Sequence, residues 1–469
     1  MYDSAFNLRG WALSVKPSYE RYHIDVKEVP SKITLPPRFL VKRFNNCTEA
    51  QECTQACIYG VHETKEDGKI AEPKSELCRG CYMCVLKCPK AAISIGINPE
   101  FEKLGNSYFT PERIRTIYFE AETGKVPVSG AGYTGPFAGD GFDGIWFDFS
   151  EIVRPTRDGI HGREYISTSV DLGRKLQSLK FDTNGNLVSK IPKTVEIPVP
   201  IIFDTPSSCG TSKNLQLAVA RAAARLKTFA IVDAEQFSPD LAQLTTSIIL
   251  RIRSNRIDKS KDLLKKSQIV EINDSGEDVR DQLKKMREIN PSALVSFRFD
   301  YSADAPELAN KLAEEGGDIV HFHIDDSVVE QDPDTIKNAI ISVNTCLVNK
   351  KNRDKISLIF SGGIAEAAHV PKAIILGANA VALGTAYQIA LGCTVRHEDA
   401  RKLGCPVKLE DKDVPTATQR IVNLTGAWRD QLLEVLGGMG LREVRRQAGE
   451  MGRAMFHEDL ETRVFGDGQ

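Results

Sequence analysis

The chain has 469 residues, of which 41% are apolar and 26% are charged, and its formal net charge is −2 at pH 7. This balance is typical of globular proteins and argues against wholesale disorder. A charge near zero gives no reason to expect nucleic acid or an anionic membrane surface as a partner. We find neither a signal peptide nor a membrane-spanning apolar run. We therefore expect no membrane insertion and a cytoplasmic location, where cysteines stay reduced.

The N-terminal part of the chain divides into an arm and a cysteine-rich module. Residues 1–40 are predicted to form an extended arm that packs on another part of the protein. The next segment, 41–98, contains seven of the eleven cysteines. Scattered structural thiols would not crowd in this way, and in a reducing compartment such crowding points to metal. The sequence therefore predicts a metal-binding module before the main domain.

The spacing of these cysteines is that of a dicluster ferredoxin. The stretch CRGCYMCVLKCP (78–89) has four cysteines, with two, two and three residues between them, and ends in proline. Such a run supplies three thiolates to one 4Fe–4S cluster, and its fourth cysteine crosses to the neighbouring cluster. The earlier stretch CTEAQECTQAC (47–57) repeats the rhythm with Ala50 where a cysteine would stand. The exchange predicts Cys57, Cys78, Cys81 and Cys84 for a 4Fe–4S cluster, and Cys47, Cys53 and Cys88 for a second site.

Three thiolates at the second site suit a 3Fe–4S cluster, because the iron at the corner without a protein ligand is easily lost. In this respect the region resembles the seven-iron ferredoxins. A 4Fe–4S cluster with a non-cysteine or distant fourth ligand is one alternative. A zinc site that uses some of these cysteines is another. Ile58 departs from the pattern, since a proline usually follows the last cysteine of the first run.

The rest of the chain is predicted to be mainly an α/β domain. Residues 99–190 are rich in glycine, proline and aromatic residues, which predicts an irregular connecting segment. From 191 to 395, eight apolar runs alternate with helical-period segments, which predicts a (β/α)8 TIM-type barrel after a ferredoxin-like α+β module. A doubly wound sheet would need a glycine-rich first turn, which is absent. Residues 396–469 are predicted to be helical. The predicted strands are 197–203, 229–234, 247–253, 268–272, 293–299, 318–324, 356–363 and 380–386.

The last two predicted strands end in glycine. Ser361, Gly362 and Gly363 end the seventh strand, and Gly384 and Thr385 end the eighth. In barrels of this kind, the loops after these two strands often bind a phosphate through backbone N–H groups. Because an iron–sulfur module precedes the barrel, the expected phosphate-bearing cofactor is FMN, which exchanges single electrons with clusters.

Two blocks of sequence resemble the archaeal-type glutamate synthases, in which a ferredoxin module precedes an FMN-binding barrel. Residues 361–393 resemble the end of that barrel, and residues 147–175 resemble the segment before it. The resemblance runs from about residue 47 to the C-terminus. It implies that the two glycine-containing strand ends hold the FMN phosphate, and that Ser208 and Gly210 lie beside the flavin.

Several loops depart from that family. The lysine usual on the fifth strand is Arg298, which is a candidate flavin contact or a partner of Asp300 or Asp325. The glycine-rich loops after the second, fourth and sixth strands are replaced, the last by DDSVVEQD (325–332). In the family these loops would hold 2-oxoglutarate and iminoglutarate, so the glutamate-forming substrate loops are predicted to be degenerate. Residue 2 is not a nucleophilic cysteine, so ammonia would come from a separate amidotransferase subunit.

His321 and His323 alternate on the sixth predicted strand and therefore share one face. With Asp325 at the strand end, they offer three ligands for a metal ion. The alternative is that they are core histidines whose hydrogen bonds are satisfied inside the barrel.

Two functions are consistent with these patterns. In the first, electrons from ferredoxin or another redox subunit pass through both clusters to FMN, and the reduced flavin delivers hydride to an imine or another small acceptor. In the second, the chain is an electron-transfer or scaffold subunit of a larger redox complex, and its barrel has lost the substrate site and the flavin. The sequence identifies no catalytic residue beyond the candidate Arg298.

Overall fold

The computed structural model describes most of the chain. Among the described residues, no helix is long and apolar enough to cross a membrane. Structural statements below refer to these residues, which are 22–31, 34–127, 138–149, 165–189, 191–204, 212–273, 278–395, 407 and 409–465.

The cysteine module consists of a two-stranded antiparallel sheet and two short helices. Gln51 and Tyr82, which precede the helices, both adopt the left-handed backbone conformation, with φ of 62° and 60°. Each helix then places one cysteine inside the module, Cys53 and Cys84. The two halves are therefore built alike, as the repeated cysteine rhythm predicts. The elements are β1 (Phe39–Arg43), α1 (Glu52–Ala56), α2 (Met83–Lys87) and β2 (Ile93–Ile97).

The prediction of irregular structure for residues 99–190 is wrong in part, because the segment contains a well-formed helix of 13 residues. Thr110 caps this helix by accepting the N–H of Arg113, Pro111 is its first residue, and Gly124 ends it in the left-handed conformation. These capping residues are visible in the sequence, but the surrounding glycines and prolines made the whole segment look irregular. The elements of the segment are α3 (Pro99–Glu102), α4 (Pro111–Thr123), β3 (Ile145–Phe147) and β4 (Val170–Gly173).

The first predicted barrel strand is divided in two. Strand β5 (Thr194–Ile197) pairs antiparallel with β4 outside the barrel, and only β6 (Ile201–Phe203) joins the barrel itself. Pro198 and Pro200 lie between the two strands. Proline has no N–H to donate to a sheet, so it interrupts the ladder at this point.

The predicted (β/α)8 barrel is confirmed. Eight parallel strands follow one another around a closed ring in sequence order, and the last strand pairs with the first, Val381 opposite Ile201. Their side chains are almost all buried, as expected for parallel strands covered by helices. After β6 the barrel strands are β7 (Ala230–Asp233), β8 (Ile248–Arg253), β9 (Ile269–Asn273), β10 (Leu294–Asp300), β11 (Ile319–His323), β12 (Ser357–Ser361) and β13 (Ala380–Leu383).

Helices cover the barrel unevenly. After β7 and β8 the chain forms 3-10 turns, Pro239–Ser247 and Ser254–Ser260, in place of long helices. The later strands are followed by regular α-helices. The helices are α5 (Lys213–Leu226), α6 (Lys261–Leu264), α7 (Val279–Ile289), α8 (Ala305–Glu315), α9 (Asp326–Gln331), α10 (Asp334–Asn349), α11 (His369–Leu376) and α12 (Thr385–Ala390).

The C-terminal helix α13 (Val414–Gly438) joins the parts of the chain, because it packs on both α4 and α5. Its Asn423 side chain accepts the N–H of Lys27 at 3.1 Å and donates to the carbonyl of Ala121 at 3.0 Å. The described part of the N-terminal arm therefore packs on this helix, as predicted. The last elements are β14 (Ala454–Phe456), which pairs antiparallel with β3, and α14 (His457–Phe465).

Candidate functional site

Six of the seven cysteines of the module fall into two neighbourhoods. Cys53 and Cys47 lie close enough for the charge of one to act on the other. Cys57 leaves its own run and joins the neighbourhood of the second run. This is the crossing that the spacing predicts for the first cluster. The thiols whose charges act on Cys84 are Cys57, Cys78 and Cys81.

The thiols lie in a partly apolar environment that disfavours free thiolates. Burial, together with the neighbouring thiols, raises the pKa of Cys84 to about 11. Backbone N–H groups of Val61 and Ala92 donate to the Sγ atoms of Cys57 and Cys88, at 3.4 and 3.2 Å. Metal ligation holds cysteines as thiolates against such an environment, and N–H donors to sulfur tune the potential of a cluster.

The spacing of the thiols bears on which metal they suit. Around a single tetrahedral zinc ion with Zn–S bonds of about 2.3 Å, the sulfur atoms lie about 3.8 Å apart. Within the described residues, no three cysteine sulfurs lie within 4.8 Å of one another. The wider spacing favours a polynuclear cluster over a single zinc ion.

Outside the cysteine module, three side chains bring one ligand atom each to within 4.8 Å of one another: Asp143, Glu366 and His369. They are not open to a metal, because Arg113 pairs with both carboxylates, at 2.7 Å from Nε to Glu366. Burial alone would raise the pKa of Asp143, but His369, Arg113 and Lys372 outweigh it and hold the pKa at about 2. The cluster therefore ties α4 to the barrel. No local pattern could predict this cluster, because Arg113 and Glu366 are 253 positions apart.

The predicted phosphate-binding residues of the barrel come together at the carboxyl ends of β12 and β13. Gly362 has a φ of +87°, and a Cβ there would lie 1.7 Å from the carbonyl oxygen of Ile324. Only glycine allows this close approach. The cavity between the strand ends measures about 20 Å³, which is room for a water molecule. The predicted residues that line it are Ser361, Gly362, Gly363, Gly384 and Thr385.

Two donors at these strand ends already hold an anion. The N–H of Gly363 donates to Oδ1 of Asp326 at 3.1 Å, and the hydroxyl of Thr385 donates to Oδ2 of the same carboxylate. We call the Gly363 N–H and the Thr385 hydroxyl the cradle. Asp326 begins α9, in the loop where the resemblance predicts glycines. The sequence analysis named both donors but missed the acid between them, although the adjacent acidic pair was visible in that loop.

Residues before α4 cover the cradle. The hydroxyl of Tyr108 donates to the carbonyl of Gly363, and Phe109 lines the same cavity. Burial raises the pKa of Tyr108 well above its usual range, so its hydroxyl stays a neutral donor. The segment that leaves the cysteine module therefore reaches the end of the barrel at which a cofactor phosphate is predicted.

A buried network of charged side chains crosses the barrel interior. Arg251 donates to Asp204 at 2.6 Å and to Glu271 at 2.7 Å, and Glu271 bonds with Nδ1 of His321 at 2.8 Å. Burial would raise the pKa of Glu271, but Arg251 and His321 outweigh it and lower that pKa strongly. Each buried charge is paired, as a stable interior requires.

Of the two alternatives for the histidines, the structure supports satisfied core side chains. Nε2 of His321 and Nδ1 of His323 lie 2.8 and 2.9 Å from the hydroxyl of Ser361. Burial, with the nearby Arg298, lowers the pKa of His323 to about 4, so it is neutral. Asp325 instead caps α9 by accepting the N–H of Ser327.

A larger cavity, of about 290 Å³, opens at the carboxyl ends of β7 to β10. Arg298 lines it and pairs with Asp300 at 3.3 Å, which was one of the predicted alternatives. The Nε of Arg298 is buried and has no hydrogen-bond partner among the described residues. Arginines outnumber acids in the lining even without Arg251, which the buried network already pairs, and this suits a small anion. The other charged lining residues are Asp233, Glu235, Arg251, Arg253 and Arg256.

Known protein families match both halves of the chain. A profile described as a 4Fe-4S dicluster domain matches residues 39–89, which include all seven clustered cysteines. A profile described as a conserved region in glutamate synthase matches residues 242–442, from β8 to the end of α13. Over residues 242–442 the chain is similar to the glutamate synthase family.

Relatives within the glutamate synthase family match the chain over most of its length. The archaeal-type glutamate synthase [NADPH] of Dehalococcoides mccartyi is 25% identical over 481 residues, which cover 89% of this chain and 95% of the relative. That of Thermotoga maritima is 27% identical over 506 residues, which cover 93% and 98%. Among solved structures, the flavin-binding domain of baker's yeast flavocytochrome b2 overlaps 68% of this chain and 92% of its own, at 13% identity and a TM-score of 0.40.

Two predicted site residues, Ser208 and Gly210, lie outside the described residues. Their placement beside a flavin therefore stays a prediction. The same holds for a flavin contact of Arg298, which the structure places on the larger cavity, away from the cradle residues that line the smaller one.

Proposed function

We propose that the chain is an iron–sulfur flavoprotein oxidoreductase that passes electrons through two clusters to FMN in its barrel. Ferredoxin or another redox subunit would supply the electrons. The observation that carries this proposal is the reach of one segment, residues 99–127, from the cysteine module to the cradle through Tyr108 and Phe109. Electron transfer needs its centres held close together, and this segment, whose helix α4 is tied to the barrel by the Arg113–Glu366 ion pair, connects the two parts.

The proposed cluster ligands follow the two thiol neighbourhoods. The crossing of Cys57 to the second run supports a 4Fe–4S cluster there. At the second site Ala50 is exposed, so the corner of a cluster beside it would face water and lose its iron readily. A 3Fe–4S cluster on Cys47, Cys53 and Cys88 is therefore proposed for that site.

The cradle fits the phosphate of FMN chemically, because a neutral N–H and a hydroxyl hold a carboxylate there already. When bound, FMN would convert single electrons from the clusters into a two-electron reduction. In the proposal Gly363 and Thr385 hold its phosphate. Ser361, whose hydroxyl bonds with His321 and His323, keeps the end of β12 in place.

The larger cavity is the proposed site for the acceptor. Its excess of arginines suits a small molecule that carries a carboxylate, and Arg298 Nε is a donor available for it. The relatives are named as glutamate synthases, which makes 2-oxoglutarate with ammonia the first pair to test. In this proposal the ammonia comes from a separate amidotransferase subunit, although the substrate loops have diverged.

A second function is favoured by one observation, the carboxylate of Asp326 in the cradle. In that case the chain is an electron-transfer subunit whose barrel is a scaffold without flavin. Purification without oxygen, followed by chromatography of released cofactors and an iron assay, separates the two functions. The proposal expects one FMN beside about seven irons per chain. Seven irons without FMN, even after incubation with FMN, would support the scaffold function.

A further inference from the structure

The carboxylate of Asp326 sits where the barrel presents its donors for an anion. Its two oxygens accept from the N–H of Gly363 and the hydroxyl of Thr385, on the ends of two different strands. Both cradle donors are therefore used by a single side chain of the same molecule. A phosphate would need the same two donors, and the adjoining cavity of about 20 Å³ is too small to hold it as well.

The backbone contacts around Asp326 hold its carboxylate at the cradle. It is the first residue of α9, only two residues beyond Ile324, whose N–H donates to the carbonyl of Ser361 at 2.9 Å. The backbone of Gly362 lies against Ile324, and Gly363 lies against Val329 of the same helix. Helix α9 is thus packed directly on the strand end that carries the cradle.

Charge opposes the joint presence of Asp326 and a phosphate. Two anions that share one pair of donors in a partly buried place repel each other, because the donors can satisfy only one of them. An entering phosphate would have to displace the Asp326 carboxylate or protonate it. A neutral or absent side chain at this position would remove that opposition.

We propose that Asp326 is a built-in competitor for the anion of the cradle, so that FMN binds this chain only by displacing it. The inference rests on the proposed FMN site. It assigns a determinant of flavin occupancy to a residue on the loop after β11, outside the cysteine module.

The test compares two flavins on cluster-containing protein prepared without oxygen. FMN and riboflavin differ by the phosphate alone, so a competitor for the phosphate affects only FMN. Quenching of flavin fluorescence gives the dissociation constants for the wild type, Asp326→Gly and Asp326→Asn. The matched control is Asp325→Asn, since Asp325 caps α9 and asparagine preserves the cap.

We expect FMN to bind both Asp326 variants at least about tenfold more tightly than it binds the wild type. The variants release the cradle donors from a charged acceptor, and hydrogen bonds to a charged group are worth this much. Riboflavin affinity, and FMN affinity in Asp325→Asn, should not change. Equal FMN affinity in wild type and variants overturns the inference. An equal gain for riboflavin also overturns it, because the effect would then act on the ring site.

Anion binding without flavin separates this inference from the proposed function. If no protein binds either flavin, inorganic phosphate is titrated while thermal unfolding is followed. Stabilisation of Asp326→Asn by phosphate, without stabilisation of the wild type, supports the competitor and rejects the flavin assignment. Absence of stabilisation in every protein rejects both. If Asp326→Gly does not fold, Asp326→Asn alone decides, because it is close to isosteric.

Discussion

Glu120 on α4 and Trp428 on α13 are joined inside the protein by a hydrogen bond of 2.8 Å, in which the indole Nε1 donates to Oε2 of the carboxyl group. Both side chains are buried, and no basic side chain pairs with Glu120 among the described residues. Burial raises the pKa of Glu120 from 4.5 to about 8. The helix that links the cysteine module to the barrel is therefore held by a neutral carboxylic acid.

This pair makes stability depend on pH. As pH rises above 4.5, the unfolded chain loses the Glu120 proton before the folded chain does, so the stabilisation falls until about pH 8. We expect Glu120→Gln to lack this loss. Between pH 5 and 8 its free energy of unfolding should rise by up to about 4 kcal/mol relative to that of the wild type. Denaturant unfolding across that range measures it. Parallel pH curves for wild type and Glu120→Gln would contradict the prediction, and Glu122→Gln on the same helix is the control.

Restoring the missing ligand should change the second cluster. Ala50→Cys would supply a fourth thiolate beside Cys47, Cys53 and Cys88, and the iron content should rise from about seven to about eight per chain. The electron paramagnetic resonance signal of an oxidised 3Fe–4S cluster should disappear. As the control, Ala56→Cys adds a thiol to the same run away from the ligand position. It should leave the iron content and the electron paramagnetic resonance signal unchanged. An unchanged signal in Ala50→Cys would refute the assignment of the site.

Breaking the buried network should unfold the barrel more easily. Glu271→Gln removes the charge that pairs with Arg251 and His321, and leaves Arg251 with Asp204 alone. We expect a loss of about 3 kcal/mol in the free energy of unfolding, since removing one member of a buried charge network leaves Arg251 with one carboxylate in place of two. Asp258→Asn, which breaks an exposed ion pair with Lys261, should leave the free energy of unfolding nearly unchanged, because solvent screens such a pair. Equal losses in the two variants would show that the network does not stabilise the barrel.

Arg298 should control anion binding in the larger cavity. Arg298→Gln keeps much of the side-chain volume but removes the charge and the buried Nε donor, so stabilisation by 2-oxoglutarate in thermal unfolding should fall severalfold. Asp300, the partner of Arg298, exposes 82% of its side chain. Asp300→Asn removes the charge of this partner and should preserve or increase the stabilisation by 2-oxoglutarate. If Arg298→Gln responds to 2-oxoglutarate as the wild type does, the acceptor site lies elsewhere.

The electron donor should dock beside the cluster on the second cysteine run. Ile58 follows Cys57, and Leu86 lies between Cys84 and Cys88; they expose 85% and 76% of their surface, which makes them the apolar contacts to test on this face. We expect Leu86→Glu to slow cluster reduction by reduced ferredoxin about tenfold while dithionite reduces it normally. Leu179→Glu, at an exposed leucine outside the module, is the control. Equal rates with ferredoxin for Leu86→Glu and wild type would exclude this face.

Local patterns predicted the elements well, with two instructive exceptions. Seven of the eight barrel strands overlap their predicted ranges closely, because buried parallel strands form short apolar runs. Pro198 and Pro200 divide the first predicted strand. Whether a proline interrupts the pairing of a strand depends on whether the residues beside it lie in the sheet. Helix α4 was missed although Thr110 and Gly124 cap it, since glycine-rich flanks concealed its periodicity.

The sequence by itself determined the two cysteine runs, the alternation of strands and helices, and the donors at the last two strand ends, because short spacing and periodicity encode them. Only the tertiary structure decided what those donors hold. Asp326 lies 37 positions before Gly363 and 59 before Thr385, and the closure of the barrel brings all three together. No local pattern records such a contact. It exists because parallel strands end on the same rim of a barrel, where each following loop meets its neighbours.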